Sequence, residues 1–171
     1  AAARAGDNCG LAVFGRKVRK YLPPKKGVEQ MDAVLETLHD MEPELIEPSY
    51  ARAFQFIASN SKKRSFIVIL TDLVDKESSK ELITSLKLLR PRHLPLVVTI
   101  GDRDLNATVS EIPKEIKEVF TQSAAEEIIH QRESALRLVE TLGGLALDVT
   151  TNSLAPRLLE TYLRVKERGL L

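Results

Sequence analysis

The sequence predicts an α/β protein, a three-layer α/β/α sandwich whose mostly parallel sheet carries an antiparallel hairpin at one edge. The stretches RSFIVILTDLVD and LPLVVTI contain near-continuous apolar runs. They lack the apolar–polar alternation of a strand with one wet face, which indicates strands covered by helices on both faces, the first of them central. Helical periods alternate with these strands and with a third, LALDV, and this order requires the crossover connections of a parallel sheet.

Composition limits the possible classes of function. The 171 residues suit a single domain spanning 1–171. Lys and Arg total 25 against 24 for Asp and Glu, a net charge of +1, which gives no general case for a nucleic-acid partner. Cys9 is the only cysteine, so the chain has no internal disulfide and no cysteine-based zinc site.

The first part of the chain predicts an edge hairpin followed by two helices. AAARAG is typical of a last helical turn with its glycine stop. Residues 8–15 and 18–22 predict two strands, the second ended by Pro23-Pro24. Apolar residues at helical spacing then mark two helices. The first carries Val28, Met31, Val34, Leu35, Leu38 and Met41 and is closed by Pro43. The second carries Tyr50, Ala53, Phe54 and Ile57.

The second part predicts three further helices between and after the strands. Asp75 occupies an N-cap position before one helix, and a loop after LPLVVTI reaches Pro113. Ile116, Val119 and Phe120 begin a helical segment that a break near Ser123 would interrupt. The same period continues to the Gly143-Gly144 stop through Ile128, Ile129, Arg132, Leu136, Val139 and Leu142. LALDV and a closing helix follow.

Several stretches together resemble one family: GDNCGLAVFG, YLPP, ELIEPSYARAF, RSFIVILTDLVD, RHLPLVVTIGD, AAEEIIHQRESAL and YLRVKERGLL. The whole chain resembles the bacterial proteins of the domain of unknown function 58 family, whose conserved part is similar to a von Willebrand factor A domain. That resemblance implies a Rossmann-like, mostly parallel sheet whose central first strand carries an Asp-x-Ser-x-Ser motif. The sequence has no such motif, so we expect a fragment truncated at its N-terminus that lacks this strand.

A missing central strand would leave an empty slot beside NCGLAVFG and RSFIVILTD. Unpaired backbone groups and apolar surface in such a slot favour pairing with another chain. We therefore expect a rearranged sheet, an exchanged segment, or a homo-oligomer formed through exposed strand edges.

The resemblance implies that Asp72 corresponds to an A-domain aspartate that helps bind a divalent metal, usually through a water. Mg²⁺ requires several oxygen ligands in near-octahedral geometry. The family's usual threonine would fall near Pro48-Ser49, and Pro48 has no side-chain oxygen. We expect no cofactor in this chain, where the favoured role of Asp72 is to cap backbone amides at the strand–helix turn. A Mg²⁺ site that includes Asp72 in the intact protein is the alternative.

Further aspartates follow strand ends and should share the carboxyl edge of the sheet, where ligands gather in such folds. With the Glu47–Ser49 loop they predict a partner-binding surface. Solvated loop residues and helix caps are the alternative. The predicted partner-binding residues are Ser49, Asp72, Asp75, Asp102 and Asp104.

These observations favour a non-enzymatic interaction module with no catalytic residue. The resemblance implies a MoxR-type AAA+ ATPase as its protein partner. The alternative is a metal-dependent enzyme or ligand-binding domain that uses the same aspartates. Basic residues in 16–26 and 62–64 suit a protected edge strand better than a nucleic-acid surface, because aromatic residues are nearly absent among them. We expect a cytoplasmic location and no membrane contact by this fragment, with a membrane tether in the missing N-terminal region as the alternative.

Overall fold

A computed structural model describes residues 2, 4–43, 46–72, 76–101, 103–110, 112–113 and 115–170. The fold is α/β, as predicted, and the chain forms two compact units, Ala1–Asn60 and Ser61–Leu171. A single domain over 1–171 stays a prediction. In chain order the elements are β1 (Cys9–Phe14), β2 (Val18–Lys25), α1 (Val28–His39), α2 (Tyr50–Asn60), β3 (Phe66–Thr71), α3 (Lys76–Leu89), β4 (Leu94–Ile100), α4 (Arg103–Ser110), α5 (Ile116–Thr141), β5 (Leu145–Val149) and α6 (Thr151–Glu167).

In the first unit, β1 and β2 form a two-stranded antiparallel sheet of their own. This corrects the prediction that the hairpin is hydrogen-bonded to the edge of the parallel sheet. β2 also continues through Pro23 and Pro24, which were expected to end it. An edge strand tolerates proline where the missing N–H would face away from its partner. Gly10 permits a close approach within the hairpin, because a Cβ there would lie 2.8 Å from the carbonyl oxygen of Leu22.

In the second unit, the three strands are parallel in the order β3-β4-β5. β4 is paired on both sides, and every residue of it except Ile100 is buried. The interpretation of RSFIVIL as a central strand buried on both faces is wrong for this sheet. β3 is an end strand paired with β4, and Leu70 remains 57% exposed. Its apolar residues are therefore only partly covered.

Helices lie on both faces of the parallel sheet, because alternate strand residues point in opposite directions. On one face α6 supplies Leu154 and Leu158, while on the other α5 lies against Ala146 and Asp148 across an open groove. The unit therefore has the three predicted layers. The cluster packed against α6 consists of Leu96, Val98, Leu147 and Val149.

Two helical predictions between β4 and β5 need correction. The predicted loop to Pro113 contains α4, a helix of only eight residues with few apolar side chains. α5 is continuous over Ile116–Thr141, with no break near Ser123. It ends where Gly143 adopts φ 80°, a conformation that favours glycine. Among the described residues, no helix is both long enough and apolar enough to cross a membrane.

Candidate functional site

The predicted acidic edge is only partly within the described residues. Asp72 follows β3 directly and is exposed, and its backbone carbonyl lies 3.5 Å from the Thr71 hydroxyl. Asp75 and Asp102 are not among the described residues. Asp104 lies in α4, but its side chain is not described. Where the structure is described, no three His, Cys, Asp or Glu side chains are grouped to hold a metal. The metal role of Asp72 and the acidic partner surface stay predictions.

Ser49 belongs to the first unit and stands at the beginning of α2. Its backbone N–H donates to the carbonyl of Gly15 at 2.9 Å, and its own carbonyl accepts from the N–H of Ala53 at 3.2 Å. This is the backbone pattern of a residue that starts a helix. The backbone of Ser49 is thus fixed by local structure, and its predicted contact with a partner stays a prediction.

Sequence reasoning missed an exposed apolar surface at the beginning of α5. Ile116 and Phe120 are 79% and 71% exposed, and Val119 between them is 47% exposed. Residues three and four positions apart share one helix face, so these side chains form a continuous stripe. Ile112, just before the helix, is 86% exposed. We call Ile116, Val119 and Phe120 the α5 stripe. Their spacing was the signal, but a helical period shows a common face without showing whether anything covers it.

The direction and length of α5 place this stripe at the carboxyl edge of the parallel sheet. α5 returns the chain from the end of β4 to the beginning of the parallel strand β5, so its first residues lie toward the carboxyl edge. The guanidinium of Arg132 lies beside Gly101, the residue that follows β4. Arg132 therefore marks the part of α5 that is level with the carboxyl edge of the sheet. From Ile116 to Arg132 the helix extends roughly 24 Å at 1.5 Å per residue. The first turns therefore project beyond the strands.

A polar junction lies at the same edge, where β4 and β5 end. The hydroxyl of Thr99 donates to Oδ1 of Asp148 at 2.8 Å. A methyl group placed on Gly101 would lie 3.2 Å from Nη1 of Arg132, 3.7 Å from Oδ1 of Asp148 and 3.8 Å from the carbonyl oxygen of Val149. Arg132 is only 6% exposed, and its Nε has no hydrogen-bond partner among the described residues. Its guanidinium is a buried cation at the edge where ligands bind in such folds.

The histidines lie elsewhere. His39 and His130 are exposed on α1 and α5. His93 precedes β4, at the amino end of the sheet, and is 1% exposed. Burial lowers the pKa of His93 below its usual value, and the charge of Arg92 lowers it further. His93 is therefore not positioned for acid–base chemistry with groups at the carboxyl edge.

Together these features define an α/β protein with an apolar helix tip and a buried arginine at the carboxyl edge of its parallel sheet. The chain belongs to the family described as Protein of unknown function DUF58, whose model matches residues 1–137. The family prediction is thereby confirmed. Comparison with curated proteins and with solved structures found no match.

Proposed function

We propose that this chain is a non-enzymatic protein–protein interaction module that binds through the carboxyl edge of its parallel sheet. The observation that carries the proposal is the α5 stripe. Contiguous exposed apolar side chains mark protein-binding surfaces, and aromatic residues are enriched at the centres of such surfaces. Ile116, Val119 and Phe120 have the i, i+3, i+4 spacing with which a helix inserts into an apolar groove of a partner.

The proposed partner is a MoxR-type AAA+ ATPase. This choice of partner rests on the family resemblance alone. Within this proposal the aspartates at positions 72, 75, 102 and 104 supply the polar rim around the apolar anchor, and Ser49 is a further contact. Interfaces commonly have this arrangement of an apolar centre and a polar rim. The chain would act as an adaptor for the ATPase.

The finer fold assignment is also a proposal: a von Willebrand factor A-like domain that lacks its first central strand. The support is that β1 and β3 are each end strands of their own sheet. Backbone groups on an open edge favour pairing with an additional strand. The alternative way to cover these edges is a homo-oligomer of the chain.

A metal-dependent enzyme or ligand-binding domain is the second candidate. Asp72 favours it, because this exposed carboxylate directly follows the carboxyl end of β3. Mg²⁺ requires several oxygen ligands in addition to Asp72.

The adaptor proposal is tested by recovery of bound proteins from a lysate of source cells, with ATP or ADP present and mass spectrometry as the readout. The unchanged protein is compared with Ile116→Asp/Phe120→Asp, with Asp72→Ala and with the control Leu163→Asp. Leu163 is also an exposed apolar helix residue, but it lies on α6. We expect an AAA+ ATPase with the unchanged protein and the control, and at least a tenfold loss with the α5 double variant, the size expected for removing interface anchors.

Equal recovery of the ATPase by the double variant would remove the α5 stripe from the interface. Loss of ATPase recovery with Asp72→Ala would show that the acidic rim also belongs to the interface. If no ATPase were recovered by the intact protein in either nucleotide state, the adaptor proposal would be refuted and the metal-dependent candidate would be tested next.

A further inference from the structure

Arg132 is a buried cation that forms no ion pair with the described acidic residues of its own unit. The whole residue is 6% exposed, and its Nε has no partner among the described residues. The two ion pairs found there, Arg137 with Glu133 and Arg157 with Glu160, lie on exposed helix surfaces and do not include it. The neighbouring carboxylate of Asp148 accepts a hydrogen bond from Thr99 instead.

A guanidinium whose Nε is buried without a hydrogen-bond partner is energetically unfavourable. Removing a charge from water costs several kcal/mol unless a counter-charge and hydrogen bonds replace the lost solvation. A guanidinium presents its N–H donors in a planar fork that matches a carboxylate or phosphate group. Among the described residues, Nε of Arg132 therefore lacks a partner, and a carboxylate or phosphate oxygen would supply one.

The backbone around Arg132 also favours an anion. Gly101 has no side chain to occupy the space against Nη1 of Arg132. The same glycine donates its N–H to the carbonyl of Val149 at 2.7 Å, one residue before the Thr150 N-cap of α6. The first turn of this 17-residue helix therefore begins close to the guanidinium. Helix N-termini present N–H groups and partial positive charge, which stabilise bound oxyanions.

We propose that Arg132, Gly101 and the first turn of α6 form a binding site for a small oxyanion, a phosphate or carboxylate group of a soluble ligand. Two of its oxygens accept from the guanidinium, and the helix N-terminus adds a favourable dipole. Asp148 opposes the anion, and its exposure to solvent weakens this repulsion. The proposal goes beyond the adaptor function and does not depend on it.

The test is thermal unfolding of the whole chain at pH 7 in rising concentrations of inorganic phosphate, with sodium chloride holding ionic strength constant. A parallel series uses sodium acetate. The variants are Arg132→Met and Arg132→Lys, with Arg137→Met as the control. Arg137 lies on the same helix and is exposed, with its guanidinium 3.6 Å from Glu133.

We expect a saturable rise in the Tm of the unchanged protein and of Arg137→Met. Arg132→Met should have a higher Tm than the unchanged protein without the anion, because an apolar side chain replaces a buried charge. It should also bind the anion at least tenfold more weakly. Arg132→Lys, which keeps the charge without the fork, should bind with intermediate affinity. Asp148→Asn should strengthen binding. A response to phosphate alone identifies a phosphate ligand, and a response to acetate as well identifies a carboxylate-accepting site.

Two results would overturn the proposal. One is the absence of a saturable response to either anion in the unchanged protein. The other is a lower Tm for Arg132→Met without anion, with Arg132→Lys retaining the original Tm, because a carboxylate of the chain would then be the counter-charge. Neither result bears on recovery of an ATPase, so the two proposals fail separately.

Discussion

Replacement of His93 by leucine should raise stability and reduce its dependence on pH. His93 is 1% exposed, and both of its ring nitrogens lack hydrogen-bond partners among the described residues. A buried polar group left unpaired costs about 1–3 kcal/mol. His93→Leu should therefore increase the free energy of unfolding at pH 7 by about that amount, less a smaller cost for imperfect packing.

The pH dependence has a definite sign. Burial and the charge of Arg92 lower the pKa of His93 in the folded protein. As pH falls below the ordinary value of about 6.5, the unfolded chain binds a proton that the folded protein does not yet bind. Stability is therefore fully present above that pH and is lost as pH falls toward the lowered folded-state pKa. The loss is at most about 1.4 kcal/mol per pH unit for this one group.

Urea unfolding between pH 5 and pH 8 measures both effects. His93→Leu is compared with the unchanged protein and with His130→Leu, whose histidine is exposed on α5. The gain from His93→Leu should grow below pH 6.5, and His130→Leu should follow the unchanged protein. Parallel pH curves for His93→Leu and the unchanged protein would show that folding does not lower the pKa of His93. A loss of stability at pH 7 would show that the ring nitrogens are satisfied. Either result would refute the reasoning.

Three further changes test the fold and the metal candidate. Leu96 is fully buried in β4, so Leu96→Ala should lower the free energy of unfolding, measured by urea unfolding, by about 2–5 kcal/mol. Leu163 is 46% exposed, so Leu163→Ala should change it by under about 1 kcal/mol. Gly10→Ala should cost about 1–3 kcal/mol in the same assay, because its Cβ would meet a backbone oxygen at 2.8 Å, and more than Gly15→Ala, whose Cβ would meet a side-chain methyl at 3.2 Å. If Asp72 holds Mg²⁺ in the intact protein, MgCl₂ should raise its Tm and Asp72→Ala should abolish the rise; an equal rise in both would contradict a metal role for Asp72.

The sequence predicted the alternating elements well wherever apolar patterning is strong. The predicted stretches LPLVVTI and LALDV agree with the bounds of β4 and β5, and the apolar residues that marked the second helix lie in α2. α4 was missed because it is only eight residues long and offers few apolar side chains. β3 was assigned to the centre of a sheet because an apolar run indicates two faces that can be buried, without showing which strands pair with it.

The features of the candidate edge were visible in the sequence, but their environments were not. Arg132 interrupts an otherwise apolar helical series, which was a signal of a buried charge. Ile116, Val119 and Phe120 continue the same kind of period, yet they are exposed because the first turns of α5 extend past the sheet. Helical period follows from the chain alone, whereas burial depends on how far each element extends relative to its neighbours.

The edge of β3 that pairs with no described strand has a consequence for aggregation. Its six residues, FIVILT, combine high β propensity with no charge, proline or glycine. Such hexapeptides are the segments that stack into cross-β fibrils when their backbone groups are left open. β4 covers one side of this segment, and any strand or subunit that covers the other side would also suppress fibril formation. Protection from amyloid-like assembly is thus tied to completion of the sheet.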